Sequence, residues 1–336
     1  MTPPRLPSRR RLLESGVGAA LLPIVGAARA ATPAAASALP YPAQPVRLVV
    51  AYAAGGGADF AARLVAQKLQ ETAGIPVVVE NRPGAAGVVG TEYVARSPGD
   101  GHTLLFADAG HGINAAVYPT ARYHPVRDFT PLTLVASSPQ LLAAHPSVPA
   151  DSLGELLALP RAQTQAMGVG TTGQGSGPHL TYELLRARTG LRLIHVPYKG
   201  GGPAINDAVG GQIPLVINSM PACMPHLQSG RLKPLALATA ARHPRLPEVQ
   251  TFAESARGVV AMNWYGVLAP AHLPPALADR LTRDIGRVLE LPEVREKFAA
   301  AFLDPMPQGG AAFARFLEAE VRKWKDVVAQ TGAVTG

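Results

Sequence analysis

The chain is short of the residues that build cross-links, metal centres and strongly charged surfaces. Its 336 residues include one cysteine, Cys223. A single cysteine makes no internal disulfide, even in an oxidising compartment. It follows Met220-Pro221-Ala222 at an expected helix start, a setting that favours a buried, inert thiol. Charged residues make up only 16% of the chain, and beyond the N-terminus no basic run remains, so nucleic acid is not an expected partner. The nine histidines form no His-Glu-x-x-His and no tight pairing with acids or cysteine, so metal-ligand spacing is missing. Ser176 does not sit in Gly-x-Ser-x-Gly, because position 174 is Gln. A literal Gly-x-Gly-x-x-Gly does occur at 168–173. A dinucleotide fold needs the helix to open at those glycines and an acid about 20 residues on. Here the helix is expected to open at Pro178, and the strand at 192–197 holds no acid. No catalytic residue, cofactor or metal is therefore expected; a hydrolase assembled from distant residues stays open as an alternative.

Long apolar runs are also missing. The stretch 15–28 is too short and too rich in Ala and Gly to span a bilayer. It follows Ser8-Arg9-Arg10-Arg11-Leu12-Leu13, a twin-arginine pattern, and precedes the small-x-small site Ala28-Arg29-Ala30. Residues 1–30 therefore read as a signal peptide cleaved after about Ala30, and 31–40 as a flexible tether. The charged leader suits twin-arginine or general secretory export alike. That address is the periplasm. The leader holds five Arg and one Glu, so the remainder carries 26 basic and 22 acidic residues, a net +4. This balance mildly attracts anions.

What is present is a regular alternation. Strand-like runs fall at 46–52, 76–80, 103–107, 130–137, 141–145, 165–169, 192–197, 214–218, 234–239 and 264–269. Helix-like segments fall at 58–73, 85–96, 152–159, 178–189, 203–209, 220–229, 274–290, 292–301 and 310–331. Most strands are continuous apolar runs, as in sheets covered on both faces. The rhythm predicts an α/β fold with two mainly parallel sheets. Pro178, Pro203, Pro274 and Pro292 suit first helical turns, and Gly74 and Gly190 suit helix stops.

The run Val46 to Asp59 ends in three consecutive glycines, Gly55-Gly56-Gly57, directly before a helix. A helix starting there aims unpaired N–H groups and its positive dipole end at whatever lies in front, which makes a seat for an anion. A second strand, glycine-rich turn and helix recur at 166–185. Two such units, each with its turn at the carboxyl end of a strand, enclose a cleft.

Several blocks together make the reading specific. Tyr41-Pro42 and the Gly55–Asp59 turn are followed by Asn81-Arg82-Pro83-Gly84-Ala85 and Gly99-Asp100-Gly101-His102-Thr103-Leu104. Then come His195-Val196-Pro197-Tyr198-Lys199-Gly200, Leu246-Pro247-Glu248-Val249 and Tyr265-Gly266-Val267-Leu268-Ala269-Pro270. In order and spacing the chain resembles the Bug family of periplasmic solute receptors, which serve tripartite tricarboxylate transporters. The resemblance runs from about Tyr41 to the C-terminal helix. It implies a two-lobed, Venus-flytrap fold of the type II-like periplasmic-binding-protein class with a central cleft. The chain would cross twice: 41–142 as the first part of lobe 1, 143–258 as lobe 2, and 259–336 as the rest of lobe 1. It implies a monomeric receptor that captures a small mono- or dicarboxylate and delivers it to membrane permease subunits, without a cofactor. A receptor docking on a sensor kinase is the alternative.

The ligand-contacting set expected on these grounds is Tyr52, Ala54, Gly55, Gly56, Gly57, Ala58, Asp59, Asp108, His111, Thr171, Ser176, His179, Asn218 and Ser219. Asp59 is expected to cap its own helix rather than meet an anion. Thr171, Ser176 and His179 are expected beside the second turn, with a structural role for His179 left open. Asp108 and His111 end a strand and either select a polar ligand end or stabilise a loop. The family usually has prolines before the glycines and often a hydroxyl before the aspartate; here these positions are Ala53, Ala54 and Ala58. Asn218 stands where many members carry aspartate, which disfavours an amino-acid ligand.

Overall fold

The structure, a computed structural model, describes residues 41–331. The expected signal peptide and tether, and the last five residues, lie outside them. The described elements begin with β1 (Val46–Val50), α1 (Gly57–Ala73), β2 (Val77–Asn81), α2 (Val88–Ala95), β3 (Thr103–Asp108), α3 (Ala109–Val117) and β4 (Phe129–Ala144). Next come α4 (Leu153–Ala158), α5 (Arg161–Gln165), β5 (Gly168–Thr171), α6 (Gly177–Thr189), β6 (Ile194–Pro197), α7 (Gly201–Val209), β7 (Leu215–Ser219), α8 (Met220–Gln228), β8 (Lys233–Leu237) and α9 (Phe252–Ser255). The chain ends with β9 (Met262–Pro270), α10 (Pro275–Glu290), α11 (Pro292–Ala300), β10 (Asp304–Pro305) and α12 (Gly310–Thr331).

The strands follow the order β2-β1-β3-β9-β4-β7-β5-β6, with β10 and β8 also paired to β4. Apolar runs explain the central positions. Leu48, Val49 and Val50 of β1 are all buried, because α1 covers one face and α2 and α3 the other. In the second sheet Tyr182 and Leu185 of α6 pack on one face, while Ile205 of α7 and Met220 of α8 pack on the other. The two-lobed α/β expectation is met, but parallel pairing is confined to the flanks. β1 runs parallel to β2 and β3, and β5 to β6 and β7. Around the centre, β3–β9, β4–β9, β4–β7 and β4–β8 are antiparallel, so the sheets are mixed rather than mainly parallel.

The cause is β4. The sequence predicts two strands, 130–137 and 141–145; the structure has one continuous strand. Its first part, Phe129 to Pro139, pairs with β9, and Gln140 to Ala144 lie between β7 and β8. The strand thus leaves one sheet and enters the other at Pro139-Gln140, where a residue without an N–H costs no ladder bond. β9 makes the return crossing: Ala261 N–H donates to Ala238 O beyond β8, and Met262 pairs with Pro139.

Two local differences matter for the site. The helix expected over 85–96 begins with a 3₁₀ turn, Ala85–Gly87, before α2. Ala85 and Ala86 have φ of 43° and 48°, a left-handed conformation that non-glycine residues rarely adopt. The Ala86 carbonyl is held by the Tyr52 hydroxyl at 3.0 Å and by Asn114 Nδ2 at 3.1 Å. The segment after β3 is helix α3 rather than a loop. Asp108 is its N-cap and accepts from the Gly110 amide at 2.9 Å, so the local turn chemistry opens a helix.

Candidate functional site

Helix α1 starts at the carboxyl end of β1 with Gly56 as N-cap, and no side chain caps it. The first turn, Gly57-Ala58-Asp59, forms part of a cavity wall. Its amides are those a helix leaves unpaired. The Gly55 amide is not among them, since it donates to Asp59 Oδ2 at 3.1 Å. Asp59 also accepts from Arg63 Nε at 3.0 Å and from Asn81 Nδ2 at 3.0 Å. Burial alone would raise the Asp59 carboxyl, but the bonds from Arg63, the Gly55 amide and Asn81 outweigh it and hold the group below its ordinary value.

The rest of the cavity comes from the ends of strands and from both crossings. The turn after β1 supplies Tyr52, β3 Asp108, β4 Gln140, β7 Asn218 and Ser219, and β9 Asn263 and Tyr265. Free space in this closed arrangement is about 30 Å³, room for one or two waters and too little for a carboxylic acid, so the lobes must part to admit one. The two lobes touch around it. Ala53 N–H donates to Lys199 O at 3.0 Å, and the Tyr118 hydroxyl donates to Gln174 O. An added Cβ on Gly202 would lie 2.2 Å from Ala54 O; glycine is required there for the backbones to meet.

Hydrogen bonding is incomplete inside. Gln140 Oε1 accepts from Thr181 Oγ1 at 2.9 Å, but its Nε2 has no partner. The Tyr265 hydroxyl, close to Ser219 and Asn263, makes no well-formed bond. Both residues are 1% exposed, and a buried donor left unpaired costs about 1–3 kcal/mol. Asn218 is satisfied: Nδ2 donates to Gly201 O at 3.2 Å, and Oδ1 accepts from Ser219 N. Asp108 accepts from the Gly110 amide and shares the one Tyr52 hydroxyl proton with Ala86 O, yet burial pushes its carboxyl up to about 6.

A model of the "Tripartite tricarboxylate transporter family receptor" matches residues 61–333. This chain belongs to that receptor family. It is 36% identical to BugT of Bordetella pertussis over 318 residues, 93% of this chain and 98% of BugT. Among solved structures it is similar to R. palustris Rpa4515 with adipate, at 34% identity, TM-score 0.83, and coverage of 87% of this chain and 98% of that one. It is also similar to MatC from Rhodopseudomonas palustris with bound malate, at 31% identity, TM-score 0.80, and coverage of 86% and 100%.

In this receptor, Tyr52, Gly56, Gly57, Ala58, Asp59, Asp108, Asn218 and Ser219 line one cavity. The other expected residues stand elsewhere. Ala54 and Gly55 are exposed at the lobe contact. Thr171 points away and bonds His195 Nε2 at 2.7 Å; its neighbour Thr172, just past the end of β5, lines the cavity. Ser176 is the N-cap of α6, accepting from His179 N at 3.4 Å. His179 Nδ1 accepts from the Gly175 amide at 3.0 Å, and its ring stacks on His195 at 4.2 Å. Burial pushes both histidines down to about 4. His111 bonds Pro125 O through Nε2 at 2.8 Å and packs on Tyr123 and Phe129 behind Asp108. The glycines facing Gly55 and Gly56 are Gly202 and Gly201, not the 168–177 turn, and Gly57 faces Ser219 and Tyr265. Sequence reasoning missed Ala53, Thr172, Pro178, Gly201 and Tyr265, and with them the amides Gln140 and Asn263. The two amides' one signal was a polar group beside an apolar strand run, which on its own does not say which way the side chain faces.

Proposed function

We propose that this chain works in the periplasm, capturing a small mono- or dicarboxylate between its lobes and presenting it to the membrane permease subunits of a tripartite transporter. The observation that carries this is the uncapped first turn of α1 in the wall of a cavity that also holds two unpartnered buried donors, Gln140 Nε2 and the Tyr265 hydroxyl. Amide donors at a helix start favour an anion, and side-chain donors fix its orientation. Adipate and malate on related receptors agree in ligand class. Closure brings surfaces of both lobes together, so the loaded form offers a partner a face that the separated lobes lack. We take the protein to act as a monomeric carrier without chemistry on its cargo.

Thermal denaturation with a panel of straight-chain mono- and dicarboxylates tests the proposal. A true ligand at about 100 times its Kd stabilises by about 2.7 kcal/mol. A panel in which no acid raises the melting temperature overturns it.

A further inference from the structure

The cavity walls are unbalanced in charge. They carry two carboxylates, Asp59 and Asp108, and no lysine, arginine or histidine. Asp59 is neutralised by Arg63, with Nη2 at 2.9 Å from Oδ1. Asp108 has no such partner. Its bonds come from the neutral Tyr52 hydroxyl and the Gly110 amide. From β9, Tyr265 lies opposite it in the ladder. From α3 and the segment that follows, His111 and Tyr123 are nearby; burial pushes the His111 ring down to about 4, so it is neutral. No cation faces this carboxyl from any packed element. In the same walls Gln140 Nε2 has no partner and the Tyr265 hydroxyl no well-formed one, and both residues are 1% exposed. Those orphaned donors separate this arrangement from a merely structural pair of acids, because the fold by itself leaves them unsatisfied.

We propose that the cleft admits one unit of ligand negative charge and that Asp108 takes a proton-bearing group of the ligand. A hydroxy-monocarboxylate then enters as it is, and a dicarboxylate enters only as the hydrogen-dicarboxylate. This rests on the carboxylate-receptor reading and narrows its ligand class. One carboxylate is satisfied by the first-turn amides of α1. A second ionised carboxylate would meet Asp108 in a small cavity without a compensating cation. Two carboxyl groups in such contact share one proton. That proton comes from solvent, and no covalent bond other than the one to this proton changes. The elevated Asp108 carboxyl, at about 6, agrees with a site that retains a proton near neutral pH.

Calorimetric titration of the receptor with two matched pairs tests this: adipate against ω-hydroxyhexanoate, and succinate against γ-hydroxybutyrate. For a dicarboxylate, affinity should fall about tenfold per pH unit above pH ~6, with about one proton taken up per ligand bound. Proton uptake is read from the buffer dependence of the binding heat. The hydroxy acids should show no such uptake. Asp108→Asn should flatten the dicarboxylate profile while binding persists; Asn keeps the N-cap acceptor. Dicarboxylate binding that is independent of pH, without proton uptake, overturns the inference and leaves the carboxylate reading standing. An unchanged slope in Asp108→Asn does the same. Should that variant not fold, proton uptake by the unaltered receptor decides. Absence of binding by both pairs at every pH overturns the carboxylate reading and this inference with it.

Discussion

The backbone amide of Ala53 donates to the carbonyl of Lys199 across 3.0 Å, joining the end of β1 to the turn before α7. The two glycine-bearing turns therefore meet main chain to main chain. Gly202 makes this possible, since any Cβ there would strike Ala54 O. Gly202→Ala should leave the fold intact, because alanine favours a helix by about 1 kcal/mol over glycine. It should hold the lobes apart. The expected outcome is an unchanged or raised melting temperature of the free protein and loss of the ligand-induced shift, measured together in one thermal series.

Gln140→Leu removes the unpaired Nε2 at nearly constant volume. Thr181 Oγ1, whose one proton is shared between Gln140 Oε1 and Gly177 O, then donates to Gly177 O alone. Stability should change little, whereas affinity for the bound acid should drop by about 1–2 kcal/mol, roughly tenfold. Calorimetric titration separates the two effects.

Ser176→Ala should do the reverse. Its hydroxyl caps α6 within the interior and does not line the cavity. Unfolding free energy should fall by about 1 kcal/mol, with affinity unchanged. Denaturant melts and titration of the same preparation check both.

Asp108 and three of the histidines respond oppositely to acid. Asp108 is raised to about 6 from 3.8, so the folded state holds its proton more tightly and ionisation opposes folding at higher pH. Asp108→Asn should stabilise the free protein at pH ~8 by about 1–3 kcal/mol, an advantage that disappears below pH ~4. His111, His179 and His195 are lowered from 6.5 to about 4. Their neutral forms contribute stability above the ordinary histidine value, and it is lost as pH falls toward 4. Denaturant midpoints across pH for both proteins test the two signs.

Much of the first lobe's half of the site was legible. Gly55-Gly56-Gly57 after an apolar run can hardly be other than a strand-to-helix turn, whereas Asp59, expected to cap α1, instead folds back onto the amide of Gly55, one residue before the N-cap, and leaves the helix uncapped. From the second turn, Thr172 and Pro178 line the cavity, while the expected Thr171, Ser176 and His179 do not. Thr171 and His179 bond His195 and the Gly175 amide inside their own lobe, and which neighbour a side chain meets is set by strand phase and by helices distant in sequence. Helix α3 went unseen because Ala109-Gly110-His111-Gly112 has weak intrinsic helicity; packing of Ile113 and Val117 in the core overrides it.

The sequence by itself determined the local grammar: alternating apolar runs and helices, their caps and stops, and a glycine turn that exposes amides. These depend on neighbours in the chain, so neighbours suffice to specify them. Only the tertiary structure decided that 130–144 is one strand shared by two sheets. That crossing sets Gln140 beside Asn218, Ser219, Asn263 and Tyr265 in the same cavity wall. A site made where two lobes close is defined by pairings between residues far apart in the chain, and no local pattern encodes which of them will face each other.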